Sequence, residues 1–227
     1  MSVRPRKELG QHFLVDENIL GVIGRLAGLE PDDVVLEIGP GLGVLTRYLA
    51  RRVSLVHAVE IDRSLAAHLA GIPNVRLELG DALQLDLADL EPPPRKLVSN
   101  LPYNVATPIV VESLDGLPAL RSWCVMVQRE VAERFFAGPG TKAYGAVSVL
   151  VRLAAERTGL HPVSRTVFRP PPKVDSALVA FRLKPLPDRL LQVKSLVEAL
   201  TALGRPPAVR AEALEPEEFV ELERLLS

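Results

Sequence analysis

The stretch Asn100-Leu101-Pro102-Tyr103-Asn104 contains groups that could hold a flat amino-purine by its face and its edge. The Asn100 side-chain oxygen accepts hydrogen bonds, and the carbonyl before Pro102 has no competing neighbouring N–H, because proline lacks one. Tyr103 adds an aromatic ring on which a base can stack. We therefore predict that this stretch binds a purine and directs its exocyclic amine.

A second stretch, FRPPPKVDS from Phe168 to Ser176, could supply the other face of the same base. Pro-rich loops are usually spacers or turns. This one carries an aromatic ring and the cations Arg169 and Lys173, and an extruded base is typically sandwiched between aromatic or apolar side chains. Such stacking contributes about 1–3 kcal/mol per base. We predict that Phe168 stacks opposite Tyr103.

Four predicted strands, at 34–38, 55–59, 75–79 and 96–100, each end close to a residue able to bind a ligand. The four residues are Gly39, Glu60, Asp81 and Asn100. In an open parallel sheet, ligands bind beyond the carboxyl ends of the strands. The convergence of these residues at one sheet edge predicts a single binding site there.

The first three of these residues indicate a nucleoside-containing cofactor. Gly39 opens the turn Gly-Pro-Gly-Leu-Gly, and Glu60 closes the next strand, where a carboxylate can hold a ribose diol. Asp81 could accept a hydrogen bond from an adenine amine, or could be a surface turn residue. A dinucleotide fingerprint would place its third glycine at Val44, so the spacing favours S-adenosylmethionine (SAM) over NAD. A tight turn without a ligand remains an alternative.

The remaining periodicity predicts an α/β fold of the Rossmann-like class. Further strands are expected at 123–127, 157–163 and 176–183, with helices at 17–28, 63–70 and 145–156. Alternation of strands and helices is typical of an open, mainly parallel sheet with helices on both faces. We predict a seven-stranded catalytic domain over residues 1–185, with an N-terminal arm at 1–15, and a small helical domain over 186–227.

Composition constrains the class of protein. The net charge is −1, there is one cysteine, and the four histidines lack ligand spacing, so neither a disulfide framework nor a metal site is expected. No apolar run approaches the ~18–20 residues that span a bilayer, and the N-terminus lacks a secretory apolar core. We expect a cytoplasmic protein. The basic groups that could contact nucleic acid are local: Arg4, Arg6, Lys7, Arg165, Arg169 and Lys173.

With these residues in place, the sequence closely resembles the ribosomal RNA adenine N6,N6-dimethyltransferases over nearly all of residues 5–183. The combination of NLPYN with FRPPPKVDS is highly specific for this family and its macrolide-resistance relatives. The matching segments are GQHFL from Gly10, EIGPGLG from Glu37, Glu60, Gly80-Asp81, NLPYN followed by Ala-Thr-Pro, and FRPPPKVDS.

The resemblance implies a monomeric enzyme that transfers methyl groups from SAM to two adjacent adenines of 16S rRNA in the small ribosomal subunit, releasing S-adenosylhomocysteine. It also implies residue roles on both sides of the reaction. On the cofactor side, His12 and Leu14 would border the cofactor, Gly39 would contact its amino-acid end, Glu60 its ribose hydroxyls and Asp81 its adenine amine. The other cofactor-binding residues would be Gly41, Ile61, Ala82 and Asn100. On the base side Asn100 and the carbonyls of Leu101 and Pro102 would hold the target N6, while Tyr103 and Phe168 would stack.

The C-terminus departs from the family pattern. After Lys184 the family has a small helical domain with a strongly basic helix, and here that helix is missing, although the terminal RAE-x-L pattern is recognisable from Arg210. Three alternatives remain open at this point. They are a large-subunit rRNA adenine methyltransferase of the antibiotic-resistance type, which Ala-Thr-Pro after NLPYN disfavours, a non-catalytic assembly factor, and, more distantly, a dehydrogenase.

Overall fold

The structure, a computed structural model, describes residues 5–6, 9–184, 199, 201–204, 221 and 224. The chain separates into two compact units, Met1–Arg129 with Arg157–Arg182, and Glu130–Glu156 with Leu183–Ser227. Arg4, Lys7 and nearly all of the predicted C-terminal domain lie outside the described residues, so the expected lack of a basic helix there stays a prediction. The domain boundary at residue 185 therefore stays a prediction.

Strands and helices alternate through most of the first 128 residues, as expected, whereas two helices and then three strands follow one another in the rest of the described chain. The strands are β1 (Phe13–Leu14), β2 (Val34–Ile38), β3 (Leu55–Glu60), β4 (Val75–Leu79), β5 (Lys96–Asn100), β6 (Ser122–Gln128), β7 (Ala155–Val163), β8 (Phe168–Arg169) and β9 (Ser176–Leu183). The helices are α1 (Glu17–Ala27), α2 (Val44–Ala50), α3 (Ala66–Leu69), α4 (Ala106–Gly116), α5 (Arg129–Phe135) and α6 (Ala146–Ala154).

Seven strands form one sheet in the order β4-β3-β2-β5-β6-β9-β7. The first five are parallel to their neighbours, and β9 pairs antiparallel with β6. This mainly parallel, Rossmann-like sheet confirms the predicted fold class. Because β2 to β5 run in one direction, their carboxyl ends lie at one edge of the sheet.

Helices of the first unit cover both faces of the sheet. Helix α1 begins where the Asp16 side chain accepts a hydrogen bond from Asn18 N–H at 2.8 Å, and its apolar side, including Ile23, joins one core with Cys124 of β6. The next residue in β6, Trp123, points to the opposite face. There its indole N–H donates to Ser113 of α4 at 2.8 Å, and its ring stacks on Phe181.

The second unit contains helix α6 and most of α5. The Ser148 hydroxyl of α6 donates to the carbonyl of Arg134 in α5 at 2.5 Å, so a hydrogen bond links these two helices. Phe135 and Val151 are fully buried. The predicted helix at 145–156 is confirmed, except that its last two residues already belong to β7.

A two-stranded sheet that the sequence did not predict joins the N-terminal arm to the Pro-rich loop. Strand β1 pairs antiparallel with β8, with Phe13 opposite Arg169 and Leu14 opposite Phe168. The Val15 N–H extends this contact by donating to the Val167 carbonyl at 2.9 Å. Residues 13–14 are thus an ordered part of the first unit rather than a free arm. In the part of the chain that the structure describes, no helix is long and apolar enough to cross a membrane.

Candidate active site

One cavity of about 230 Å³ lies at the carboxyl ends of the parallel strands. Twelve of the thirteen residues predicted from the sequence line it, which brings the cofactor and base residues to one place. They are His12, Leu14, Gly39, Gly41, Glu60, Ile61, Asp81, Ala82, Asn100, Leu101, Pro102 and Tyr103. Phe168 is the exception.

Backbone hydrogen bonds between successive strand ends form the base of this cavity. Gly39 N–H donates to the Val59 carbonyl at 2.8 Å, and Gly80 N–H donates to the Glu60 carbonyl at 2.9 Å. On the other side, Leu101 N–H donates to the Met126 carbonyl at 3.1 Å. The hydrogen bonding of the sheet thus continues one residue past these strands, and this brings the strand-end residues together.

The glycine turn needs Gly39 and Gly41, among its three glycines, for steric reasons that involve the site. Gly39 and Gly41 have φ angles of +71° and +59°, in the left-handed region that L side chains rarely adopt. A Cβ atom at Gly39 would lie 3.2 Å from two ring carbons of Pro102, and one at Gly41 would lie 3.1 Å from the Phe13 ring. The turn therefore packs directly against both the NLPYN stretch and the N-terminal arm.

Glu60 is buried and oriented by the backbone. One carboxylate oxygen accepts from Gly41 N–H and the other from Asp62 N–H, both at 2.9 Å. Burial raises the pKa of Glu60 above its usual range, against the lowering by these two N–H groups. Each oxygen of a carboxylate can accept a second hydrogen bond, so Glu60 can still hold a diol.

Asp81 and its neighbours form the next part of the wall. The Asp81 carboxylate accepts from Leu83 N–H at 3.0 Å, and its carbonyl accepts from Gln84 N–H at 2.9 Å, which fixes the turn. Ile61, whose side chain is 48% exposed, offers an apolar surface at the rim. Among the described residues, no group of three His, Cys, Asp or Glu side chains is arranged to hold a metal ion.

Asn100 is held by the arm. Its side-chain N–H donates to the His12 carbonyl at 3.2 Å, so the amide oxygen keeps its capacity to accept. The Pro102 carbonyl already accepts from Val105 N–H at 3.1 Å in the turn before α4. Of the two carbonyls expected to hold a target amine, Leu101 is therefore the better placed.

Tyr103 is fixed by the Pro-rich loop. Its hydroxyl lies 2.5 Å from the Ser176 hydroxyl, and burial raises the Tyr103 pKa despite that hydrogen bond. The His12 ring lies beside the Tyr103 ring, with centroids 5.4 Å apart, and its Nδ1–H donates to the Pro170 carbonyl at 2.8 Å. The arm, the NLPYN stretch and the Pro-rich loop thus fix one another around the Tyr103 ring.

The prediction that Phe168 stacks on a base disagrees with this structure. Phe168 is 1% exposed, does not line the cavity, and belongs to the apolar core together with Leu14, its partner across the β1–β8 pair. An apolar ring next to a short strand gains more by entering the core than by facing water. In this structure Phe168 anchors the loop that carries Ser176, and its ring has no face open to a ligand.

We expect Phe168→Ala to lower the free energy of unfolding by about 3–5 kcal/mol, because it removes a fully buried aromatic ring. Urea denaturation followed by circular dichroism would measure this. The matched control is Val174→Ala in the same loop, where the side chain is 46% exposed and the change should stay within about 0.5 kcal/mol. Wild-type stability with lost activity in Phe168→Ala would instead support the stacking role.

Glu37 was not predicted as a site residue, yet it lines the cavity with a buried carboxyl group. It is 1% exposed, and its Oε2 atom has no hydrogen-bond partner. Burial raises the pKa of Glu37 to about 8, so the group is mostly protonated at neutral pH. An acidic residue inside an otherwise apolar strand was the available sequence signal. A cationic ligand group in the cavity would favour the ionised form of Glu37 and could pair with it.

The pH dependence of the free energy of unfolding should reflect the protonation of the Glu37 carboxyl. Its pKa rises from 4.5 to about 8 on folding, so the folded state binds the proton more tightly, and stability is lost as pH rises through this window. Each pH unit should cost up to about 1.4 kcal/mol. Glu37→Gln should remove this slope in urea titrations without ligand. Glu78→Gln, at an exposed position of β4, should keep it. Identical slopes in wild type and Glu37→Gln would contradict the assignment.

Three further residues, Gln11, Asp62 and Ser176, shape the site without having been predicted. Gln11 in the arm donates to Asp62, Asp62 in the loop after β3 donates its backbone N–H to Glu60, and Ser176 contacts the Tyr103 hydroxyl. Gln11 and Ser176 stood inside matching motifs, but no spacing rule pointed to them. Asp62 had a weak signal, a second acidic residue two positions after Glu60.

Curated relatives support a ribosomal RNA modification enzyme. A protein of Rubrobacter xylanophilus called ribosomal RNA small subunit methyltransferase A is 45% identical, and the match covers 99% of this chain and 96% of the relative. The alignment has 253 positions against 227 residues here, so that relative carries at least 26 residues without a counterpart in this chain.

Solved structures and a family model were also compared with this chain. A dimethyladenosine transferase from Plasmodium falciparum shares the fold, with a TM-score of 0.70 and 24% identity over 93% of this chain and 96% of the other. The 23S rRNA methyltransferase ErmE has a TM-score of 0.66 and 28% identity over 94% and 99%. The family model described as ribosomal RNA adenine dimethylase matches residues 3–202. The chain therefore belongs to the ribosomal RNA adenine dimethylase family and is a methyltransferase.

Proposed function

We propose that this protein dimethylates the N6 atoms of two adjacent adenines in 16S rRNA of the small ribosomal subunit, with SAM as the methyl donor. The observation that carries the proposal is the position of Asn100, which shares one cavity with Gly39, Glu60 and Asp81. A base held at Asn100 and a cofactor held at the other three would meet without any movement of the strands.

The residues present fit SAM. Gly39 and Gly41 line the cavity without side chains, so a ligand could approach their backbone, and the unpartnered Glu37 carboxyl could pair with an ammonium group. Glu60 would accept from the ribose hydroxyls, and Asp81 from the adenine amine. His12, Leu14, Ile61 and Ala82 complete the lining. When bound, SAM supplies a methyl group activated by its positive sulfur.

On the other side of the cavity, Asn100 and Leu101 would hold the amine to be methylated. The nitrogen is a poor nucleophile because its lone pair is delocalised into the ring. When the Asn100 amide oxygen and the Leu101 carbonyl accept its two N–H groups, the nitrogen becomes more pyramidal and its lone pair becomes available. The proton grows acidic as the new N–C bond forms, so solvent can take it and no strong base is needed. Most of the rate then comes from proximity and orientation.

Tyr103 would supply the stacking face. Its hydroxyl is anchored on Ser176, which would hold the ring in position beneath a stacked base. The exposed cations Arg165, Arg169 and Lys173 on the neighbouring loop would contact the RNA backbone. Since small ribosomal subunits are assembled in the cytoplasm, we propose that the protein acts there, as a monomer.

The small subunit is favoured over the large one by two observations. A relative named for the small subunit is 45% identical, whereas ErmE, named for 23S rRNA, is 28% identical. In addition, Ala106-Thr107-Pro108 follows the NLPYN stretch. Primer extension on both rRNAs after reaction would locate the modified position and separate the two substrates.

The direct test is incubation of the protein with labelled SAM and unmethylated small ribosomal subunits, with naked 16S rRNA in parallel, followed by digestion to nucleosides. We expect N6,N6-dimethyladenosine from the particle. Binding of SAM without product, on either substrate, would overturn the proposal in favour of a non-catalytic assembly factor.

A further inference from the structure

Gln11 connects the N-terminal arm to the loop that follows β3. Its side-chain oxygen accepts from Arg6 N–H at 2.8 Å, which folds the arm back on itself. Its side-chain N–H donates to the Asp62 carboxylate at 2.9 Å. The Arg6 guanidinium also lies 3.6 Å from the other oxygen of Asp62. The side-chain amide of Gln11 therefore both folds the arm and connects it to Asp62.

Asp62 is suited to receive this contact. It is 3% exposed, and although burial acts in the opposite direction, hydrogen bonds from Ser64 and Gln11 hold the Asp62 pKa below its usual range. The carboxylate is ionised at neutral pH. Its own backbone N–H donates to Glu60, so the arm and the carboxylate proposed to hold the ribose are linked through a single residue.

The residue after Gln11 acts on the other half of the site. The His12 carbonyl accepts from the Asn100 amide at 3.2 Å, and the His12 ring donates to Pro170. The position of the arm thus decides which way the Asn100 amide is oriented. Rotation of that amide would turn a donor, rather than an acceptor, toward an adenine amine.

We propose that Gln11 and Asp62 are positioning residues for methyl transfer. Their hydrogen bond fixes the arm over the cavity, and the arm in turn orients Asn100 and retains the cofactor beside Glu60. The expected effect on turnover rests on the proposed function. The expected effect on SAM affinity requires only that the cavity binds SAM.

An exchange of the two side chains tests this. Gln11→Glu places a second carboxylate against Asp62, and we expect the SAM dissociation constant to rise about tenfold and kcat to fall about tenfold. In the double variant Gln11→Glu with Asp62→Asn, the amide and the carboxylate have changed places, so the same hydrogen bond can form in reverse. Both values should return to within about threefold of wild type. Asp62→Asn alone should lose less SAM affinity and less kcat than Gln11→Glu.

The control is Asp86→Asn. Asp86 accepts from Ala88 N–H in a turn like that of Asp62 and Ser64, without an arm contact, so its variant should match wild type. Calorimetric titration with SAM, without RNA, gives the dissociation constants, and thermal unfolding verifies that each variant folds. A double variant no better than Gln11→Glu alone would overturn the proposal. The expected calorimetric pattern in a protein that makes no dimethyladenosine would support the role of the Gln11–Asp62 hydrogen bond and reject the proposed function.

Discussion

Asn100→Ala should lower kcat for adenine methylation by at least about 100-fold, the size of effect seen when one well-placed polar partner of a reacting group is removed. The side chain has two tasks, since its oxygen would accept from the target amine and its N–H holds the His12 carbonyl. Single-turnover methylation with labelled SAM would measure the loss. Because Asn100 lies at a strand end and is only partly buried, the fold should persist.

A second substitution separates the two tasks. Asn100→Asp keeps an acceptor for the amine but loses the donor to His12, so it should retain more activity than Asn100→Ala. Asn18→Ala, at an exposed position of α1, is the matched control and should behave as wild type. Methylation by folded Asn100→Ala at the wild-type rate would remove Asn100 from the proposed chemistry.

The sheet and the cofactor side of the site could be predicted because they depend on short-range patterns. Buried parallel strands appear as continuous apolar runs, and a ligand-binding residue directly after each run must lie at one edge. Glu60, Asp81 and Asn100 needed no knowledge of distant contacts. Even the strand bounds agree to within one or two residues.

The parts that could not be predicted depend on contacts between distant segments. Strands β1 and β8 have two residues each, too few for any periodicity, and their pairing joins positions more than 150 residues apart. That pairing decides that Phe168 enters the core. A sequence motif identified Phe168 as an important residue, but whether its ring stacks on a ligand or packs against Leu14 depends on tertiary structure. Glu37 stands out in the sequence as an acidic residue in an apolar strand, but its burial at the cavity is visible only in the structure.

Gly39→Ala should lower kcat/KM by about 10- to 100-fold, because small misplacements of reacting groups are costly. The φ angle of +71° costs an L residue about 1–2 kcal/mol. The added Cβ would also lie 3.2 Å from Cγ and Cδ of Pro102, and a proline ring cannot rotate away. Relief requires a shift of the backbone that carries Asn100 and Tyr103.

Gly71→Ala separates the effect of backbone strain from the effect of displacing the segment that contains Pro102. Gly71 has a φ angle of +75°, and no atom lies within 4 Å of a Cβ built there, so this variant pays the same backbone cost without touching the site. Both variants should lose stability in urea, Gly39→Ala by more because of the contact with Pro102, and only Gly39→Ala should lose activity and SAM affinity. If both retain full kcat/KM, the contact between the glycine turn and Pro102 does not set the distance between cofactor and base, and the cavity tolerates more movement than its packing implies.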